Sequence, residues 1–420
     1  MSQKIKCVKG VRDILPPEVD VWNFVEGVWK KYFSLYGFKE IRIPIFEYTG
    51  VFQRGIGEGT DIVEKEMYTF LDKSKNSITL RPEGTASVVR AYIEHNLYME
   101  SPFNKFFYSG PMFRYERPQK GRYRQFYQMG VEVFDDDSSE VEVEVIEMIV
   151  EALKEMGFND YQLNINSIGC KNCRPKFIEV LKERLRSNLD RLCEDCKRRI
   201  DLNPLRVLDC KKDSCRRVVS EMPVITEFLC DGCREHHHRF KELLVNRKIS
   251  FVENPLLVRG LDYYVRTTFE VLVGNLGAQN AILGGGRYDG LVKELGGPDV
   301  SGFGFALGVD RMVLALKEDV REKSYDYPEF YLAFLGEDVI PYSFEIMNLV
   351  RKNGHSLYTN FRGRSLKSHM RLANKLNVKY VVIIGENEVK KGCALLKNME
   401  NGSQREINIS DFENFLVNYN

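Results

Sequence analysis

The sequence predicts an α+β chain with an antiparallel core, a small inserted domain and a separate C-terminal α/β domain. Three observations predict it. Short alternating runs and hairpin-like pairs, flanked by helical stretches, recur through residues 1–328. Between about 168 and 250 the character shifts, and eight of the ten cysteines fall there. After Pro328 the period changes again, with apolar strands alternating with helices over 329–420.

Residues 18–36 read as a helix, with Trp22, Val25, Val28, Trp29 and Phe33 at helical spacing. "FKEIRIPIFEY" (38–48) alternates and breaks at Pro44, which gives it the character of an edge or interface strand. "SITLRPEGT" (77–85) is a short strand ending in a turn. "KFFYSGPMFRYE" (105–116) and "QFYQMGVEVF" (125–134) form two strands of a hairpin joined by a basic loop. A helix follows over 138–158, with Ser139 and Glu142 as a capping box and Val145, Ile146, Ile149, Val150, Leu153 and Met156 on one face. Beyond the insertion, strand patterns resume at 261–273 and 281–292, and "GFGFALGV" leads into a helix within 302–318. In the last domain "YLAFLG", "SLYTNF" and "YVVIIG" alternate with helices near 339–353 and 364–377.

Composition narrows the function classes. The chain has 420 residues, 43% hydrophobic and 29% charged, enough for two or three globular domains. A net charge of +1 announces no polyanionic partner, so any basic surface must be local. No apolar run has the length of a membrane span, and "MSQKIKCVKG" has no signal-peptide core, so the expectation is a cytoplasmic protein with no membrane partner. Without an export signal, ten cysteines indicate reduced thiols or a metal site rather than disulfides.

Side chains alternate along the strand 126–134, so Gln128, Gly130 and Glu132 share one face. A glycine between two polar residues leaves a hollow that could receive a cation or an N–H donor. The competing reading is a solvated face. Arg114 ends the preceding strand, Arg259 stands before another, and Arg311 opens a helix. Guanidinium groups bind phosphate bidentately, so three arginines at such positions suit a polyphosphate; each alone suits a surface ion pair equally well. Neither a P-loop nor a dinucleotide fingerprint is present. The glycines of "LGGGRYDGLV" (283–292) allow close approach of a ligand, or mark a hairpin turn.

Residues 351–379 carry Arg351, Lys352, Arg362, Arg364, Lys367, Arg371, Lys375 and Lys379 and no acid, in a chain balanced as a whole at 61 basic against 60 acidic residues. Such segregation favours a polyanion, and Tyr358, Phe361 and His369 are candidate stacking surfaces. The cysteines fall into four close pairs, 170/173, 193/196, 210/215 and 230/233, with His236, His237 and His238 as further possible ligands. The pairs do not resolve into one four-ligand set, so the expectation is buried thiols and no zinc.

Taken together, these motifs resemble the histidyl-tRNA synthetase family of class II aminoacyl-tRNA synthetases. "KGVRDILPPE" (9–18) is similar to its N-terminal signature and "GFKEIRIPIFEY" to motif 1, the dimer-forming element. "TLRPEGT" and "FRYERPQKGRYRQFYQ" resemble the substrate turn and motif 2, "LVRGLDYYVRTTFEV" and "LGGGRYDGLV" the two histidine signatures, and "GFGFALGVDR" motif 3. "GRSLKSHMRLANKL" and "YVVIIGENEV" resemble its anticodon-binding domain. The resemblance implies a homodimeric ligase acting on L-histidine, ATP with Mg2+, and tRNA(His). It implies that Glu83, Gly84, Thr85 and Gln128 hold the histidine ammonium, that Glu132 with Tyr264 reads the imidazole, and that Tyr263 and Tyr288 line that pocket. Arg114 and Arg311 would grip ATP phosphates, Arg259 would bind ATP and neutralise charge at the α-phosphate, and Arg259 and Arg114 are the implied catalytic residues. Arg117, Gln119 and Arg124 would meet the tRNA acceptor end, and Arg362, Arg364, Lys367 and Arg371 would serve the anticodon domain. Tyr127 departs from the family, which has His there; it faces away from Gln128 and Glu132. The rival is a regulatory paralogue of histidine biosynthesis without aminoacylation activity, and a third reading is a non-catalytic nucleic-acid binder. Retention of Arg114, Arg259, Arg311 and the basic domain argues for the enzyme.

Overall fold

The computed structural model describes residues 4–57, 59–274, 280–363 and 365–419. The chain divides into two compact units, Met1–Ser324 and Tyr325–Asn420.

The first unit is built from β1 (Lys39–Glu40), β2 (Phe46–Tyr48), β3 (Tyr68–Leu71), β4 (Ser77–Leu80), β5 (Lys105–Phe113), β6 (Gln125–Phe134), β7 (Tyr161–Ser167), β8 (Val252–Glu253), β9 (Val265–Val273), β10 (Ala281–Arg287) and β11 (Gly302–Gly308). Eight of these strands form one sheet in the order β1-β5-β6-β11-β10-β9-β7-β8, and β2-β4-β3 form a small second sheet. Pairing in the large sheet is antiparallel except for the short edge strands β1 and β8. The last strand in sequence, β11, lies between β6 and β10, so the sheet closes around residues far apart in the chain.

The period-two pattern of β6 explains its two faces. Met129, Val131 and Val133 are fully buried. The helix Glu18–Leu35 buries Val21, Trp22, Val25, Val28, Trp29 and Phe33, the stripe its spacing predicts. Trp29 packs 5.8 Å from Phe305 of β11 between ring centroids. Tyr127 meets Trp22 edge-on at 5.2 Å, so the departure at 127 is absorbed in helix packing.

The helix after β6 runs Ser139–Glu155, and its cap is Ser138, whose hydroxyl accepts from the Val141 N–H. The expected box of Ser139 and Glu142 is therefore corrected. Ser139 donates to the His236 carbonyl, and Glu142 is fully buried in an ion pair with Arg287 at 2.6 Å. His236 Nε2 (2.9 Å) and the Thr267 hydroxyl (2.7 Å) complete the set around Glu142. These partners come from distant parts of the chain, so the i, i+3 spacing alone could not distinguish a cap from a core ion pair.

The insertion is helical, with helices at Arg174–Arg186, Glu194–Leu202, Asp213–Val219 and Asp231–Asn246. Its side chains Phe177, Leu181, Leu185, Ile200, Val207 and Val218 form part of a core shared with Tyr263, Tyr264 and Tyr288.

In the second unit a five-stranded sheet places Phe330–Phe334 between parallel neighbours Leu357–Thr359 and Tyr380–Ile384. Two further strands, Cys393–Asn398 and Gln404–Asn408, extend it antiparallel. The strand 380–384 is thus parallel on one side only.

Candidate active site

Register brings the site residues of the first unit together. In β6, Gln128, Gly130 and Glu132 pair with Gly110, Tyr108 and Phe106 of β5 on one side. On the other side they pair with Gly308, Ala306 and Gly304 of β11. Gly304 is required here: a Cβ at that position would run into the Glu132 carboxylate and the Val131 carbonyl. The hollow expected at Gly130 is filled by Tyr108, whose hydroxyl would lie 2.5 Å from a Cβ at 130.

Glu132 is buried, and its two oxygens take hydrogen bonds from the Thr85 hydroxyl at 2.6 Å and the Tyr288 hydroxyl at 2.5 Å. Burial pushes its carboxyl up to about 8, against the pull of those two donors. Its partners are thus Thr85 and Tyr288, whereas the expected pairing was with Tyr264. Tyr264 stands against Tyr263, with ring centroids 4.7 Å apart, and Tyr263 lies 5.8 Å from Tyr288. Glu83 and Gly84 lead into the helix Thr85–Glu94, and the Glu83 carboxylate accepts from the backbone N–H groups of Thr85 (2.7 Å) and Ala86 (2.9 Å). Burial raises the Glu83 carboxyl, and those N–H groups oppose the rise. The Gln128 amide oxygen is buried without a partner, an acceptor ready for a donor from a ligand.

Glu83, Thr85, Gln128, Tyr263 and Tyr264 line a cavity of about 210 Å3 together with Arg114, Glu116, Arg122, Arg259 and Arg311, and Glu132 is reached from it through Thr85. Arg114 donates to the Pro82 carbonyl at 2.8 Å and stands over Phe126 at 5.2 Å. Arg311 donates to the Ala281 carbonyl at 2.8 Å. Burial depresses the Arg311 guanidinium, and Arg122, Arg114 and Arg259 add to the effect while Glu116 opposes it. Arg259 lies 4.0 Å from Glu270, and its Nε is buried without a partner. Gly284 of β10 makes room for it, since a Cβ there would strike the guanidinium. Glu116 lines the same cavity and pairs with Arg122 at 2.9 Å, so protein acids partly balance the guanidinium groups, whose planar forks suit bidentate contact with an anion.

The loop between β5 and β6 is tied back at Gln119 and Arg122, whose backbones exchange hydrogen bonds of 3.1 and 2.9 Å. Arg117 and Gln119 are exposed. Arg124 instead lies over the Tyr115 ring at 3.8 Å, and its backbone N–H donates to the Gly10 carbonyl at 2.7 Å. The N-terminal "KGVRD" segment thus braces this loop, and Arg12 adds an ion pair to Glu18 at 2.7 Å.

In the second unit Arg362, Lys367 and Arg371 are exposed, as are Tyr358 and Phe361; Arg364 lies outside the described residues. Ser365 caps the helix Leu366–Lys375 that carries Lys367 and Arg371. His369 corrects the expectation of a stacking surface: it is buried, with Nδ1 2.8 Å from the Tyr331 hydroxyl.

The cysteine pairs also differ from expectation. Folding assembles the sulfurs of Cys170, Cys173, Cys230 and Cys233 into one group and those of Cys193, Cys196, Cys210 and Cys215 into another, each within 4.8 Å. The pairs match across 60 residues in one case, a relationship that spacing does not display. The adjacent histidines are engaged elsewhere: His236 with Glu142 and His237 with Glu253.

Tyr108 and Arg122 were not among the expected site residues. Arg122 sat unassigned in a basic loop. Tyr108 is signalled only by the hairpin register that sets it opposite Gly130.

Comparison with known proteins accords with this geometry. A family described as histidyl-tRNA synthetase matches residues 10–312, and an anticodon binding domain matches 329–419. The chain is 48% identical over 408 residues to the histidine–tRNA ligase of Halothermothrix orenii, covering 97% of both chains. It is 48% identical over 409 residues to that of Geobacter sulfurreducens, covering 97% of this chain and 98% of the relative. The crystal structure of apo S. aureus histidyl-tRNA synthetase superposes with a TM-score of 0.81 at 33% identity, covering 99% of this chain and 100% of that one. By sequence and fold along nearly its whole length, the chain belongs to the histidyl-tRNA synthetase family.

Proposed function

We propose that this chain is a histidine–tRNA ligase in which the cavity holds histidine at the Glu132 end and ATP at the arginine end. The observation that carries the reading is one cavity lined by Glu83, Thr85, Gln128, Tyr263 and Tyr264 together with Arg114, Arg259 and Arg311, in which the lining Thr85 donates to the buried Glu132 carboxyl behind it.

The imidazole would share a proton with Glu132, with Tyr264 and Tyr263 beside the ring. A ring N–H that meets this carboxyl separates histidine from isosteres that offer no such donor. The free Gln128 oxygen, with Glu83 and Thr85, would take the α-ammonium. Arg114 and Arg311 would bind the ATP phosphates, and Mg2+ arrives with ATP as part of the substrate. A carboxylate oxygen of histidine attacks the α-phosphorus, the bond to the bridging oxygen breaks, and pyrophosphate leaves. Arg259 would neutralise the charge that grows on the α-phosphoryl oxygens in that transition state. The terminal ribose hydroxyl of tRNA(His) then attacks the adenylate carbonyl, and AMP departs with the mixed-anhydride electrons.

Arg117 and Gln119, exposed on the β5–β6 loop, would meet the acceptor end, while Arg124 would act by holding the loop to the N-terminal segment. Arg362, Lys367 and Arg371, with Arg364, would meet the anticodon arm. The exposed Phe46, Tyr48 and Phe70, on one face of the small sheet, form an apolar surface suited to a homodimer contact. No helix among the described residues is long and apolar enough to cross a membrane, and a cytoplasmic location follows from the proposed substrates. The regulatory-subunit reading has no comparable support, because the arginine cluster and the basic domain are retained.

The test is amino-acid-dependent ATP–pyrophosphate exchange across the twenty amino acids. Histidine alone should support it; equal exchange with a second amino acid would overturn the assignment of the pocket.

A further inference from the structure

We propose that the helical insertion carries two structural zinc sites, one formed by Cys170, Cys173, Cys230 and Cys233 and the other by Cys193, Cys196, Cys210 and Cys215. All eight are free thiols, and within each group the four sulfurs lie within 4.8 Å of one another.

The spacing decides between the thiols' possible fates. Four sulfurs at about 2.3 Å from a tetrahedral zinc ion stand about 3.8 Å apart along every edge. The measured edges of the first group are 3.7 Å for 170–173, 3.8 Å for 170–230 and 3.8 Å for 173–233. A disulfide draws two sulfurs to about 2 Å and leaves the other pair unconstrained. An iron–sulfur cluster interposes its own sulfides and spreads its thiolates much farther. The edges therefore fit one mononuclear ion.

The surroundings are built for thiolate. The Cys170 N–H donates to Cys173 Sγ at 3.2 Å, and the Asn172 N–H donates to Cys170 Sγ at 3.4 Å. In the second group the Cys193 N–H donates to Cys215 Sγ at 3.2 Å. Such donors orient coordinating sulfurs and lower their charge density. Gly169, at φ +67°, leaves room for Cys173, whose Sγ would lie 2.8 Å from a Cβ there. Two cysteines of each group are buried, Cys173 with Cys233 and Cys196 with Cys215, so neither group would be well accommodated as thiolates without a cation.

Four cysteines close the coordination sphere, which makes both sites structural rather than catalytic. The second site joins the helices Glu194–Leu202 and Asp213–Val219, each too short to persist alone. The first joins the two ends of the insertion. It also adjoins the pocket: Arg174, next to Cys173, donates to the carbonyls of Ile168 (3.0 Å), Gly169 (3.1 Å) and Tyr264 (2.6 Å). Zinc at the first site would therefore fix the backbone beneath Tyr264.

The test is metal analysis of the full-length protein, purified under reducing conditions without chelator and then reconstituted anaerobically with zinc. Two zinc ions per chain are expected, released by an organomercurial that titrates the thiols. Cobalt substitution should give the intense d–d absorption of a tetrahedral tetrathiolate. The double variant Cys193→Ser/Cys210→Ser should hold one zinc instead of two. A wild-type count that stays below two after reconstitution overturns the assignment, as does stoichiometric iron with acid-labile sulfide. Because the count is made on wild-type protein, a variant that fails to fold leaves the test intact.

Discussion

Replacing Glu132 by Gln should remove a large pH dependence from the stability of the first unit. The Glu132 carboxyl rises from an ordinary value of 4.5 to about 8 on folding. At about 1.4 kcal/mol per unit, that shift corresponds to about 5 kcal/mol favouring the protonated form in the fold. The folded state thus holds a proton that the unfolded state has released throughout this range. The contribution is fully present below about 4.5, declines as pH rises, and is gone above about 8. Between about pH 5 and pH 8 the wild type should lose about 4 kcal/mol from this group alone, at roughly 1.4 kcal/mol per unit. Gln has no proton to lose, so the difference in unfolding free energy between variant and wild type should change by that amount. Urea unfolding followed by tryptophan emission measures it cleanly. The chain's two tryptophans, Trp22 and Trp29, both lie in the helix Glu18–Leu35, so the signal reports on the first unit. Parallel pH profiles for the two proteins would refute the reasoning and leave Glu132 ionised in the free pocket. The same proton is the one an imidazole would share.

Arg259→Ala should lower the adenylation rate by about 10²–10³-fold with little change in histidine affinity, because its partner charge develops in the transition state; single-turnover adenylate formation at saturating histidine checks this, and an unchanged rate with weakened binding would make Arg259 a binding residue. A chain ending after Pro328 should keep exchange activity but show a raised KM for tRNA and a shallower salt dependence, since the exposed basic residues of 351–379 are removed; unchanged KM in a folded, dimeric truncation would reduce that face to a solvated surface. Glu142→Ala should destabilise the first unit by about 3 kcal/mol, because it removes the closer of the two carboxylates that pair with the buried Arg287 and leaves it only Asp289 at 3.3 Å. Calorimetry decides, and a loss under about 1 kcal/mol would mean that water or other partners already satisfy Arg287.

Strand β6 was legible because period two is a local property, and its bounds, 125–134, coincide with the alternating run. The stripe on the helix Glu18–Leu35 was legible for the same reason. What the sequence concealed depends on tertiary neighbours. Glu142 looks like a capping residue until Arg287 and Thr267, more than a hundred residues later, arrive beside it. Tyr108 gains meaning only through the register that sets it over Gly130. The cysteine pairs appear unmatched because 170 and 173 find their partners across the whole insertion. His369 sits among basic residues in sequence but on the buried side of its helix. The arginine cluster was partly legible: each position could be named, but their convergence required the sheet order.

That sheet order also bears on synthesis. β6 ends at Phe134, and its neighbour β11 begins at Gly302. At about 5–20 residues per second, translation leaves the outer edge of β6 without its partner for roughly ten to thirty seconds. During that time the N–H and C=O groups of β6 along its open side, with Val131 and Val133 on one face, form a template for misplaced strands. The insertion is synthesised within this interval, and its elements are helices, which do not pair along that open edge. The vulnerable species is thus a nascent chain of about 150–300 residues, and ribosome-associated holding factors would act on it before the last strand fills its place.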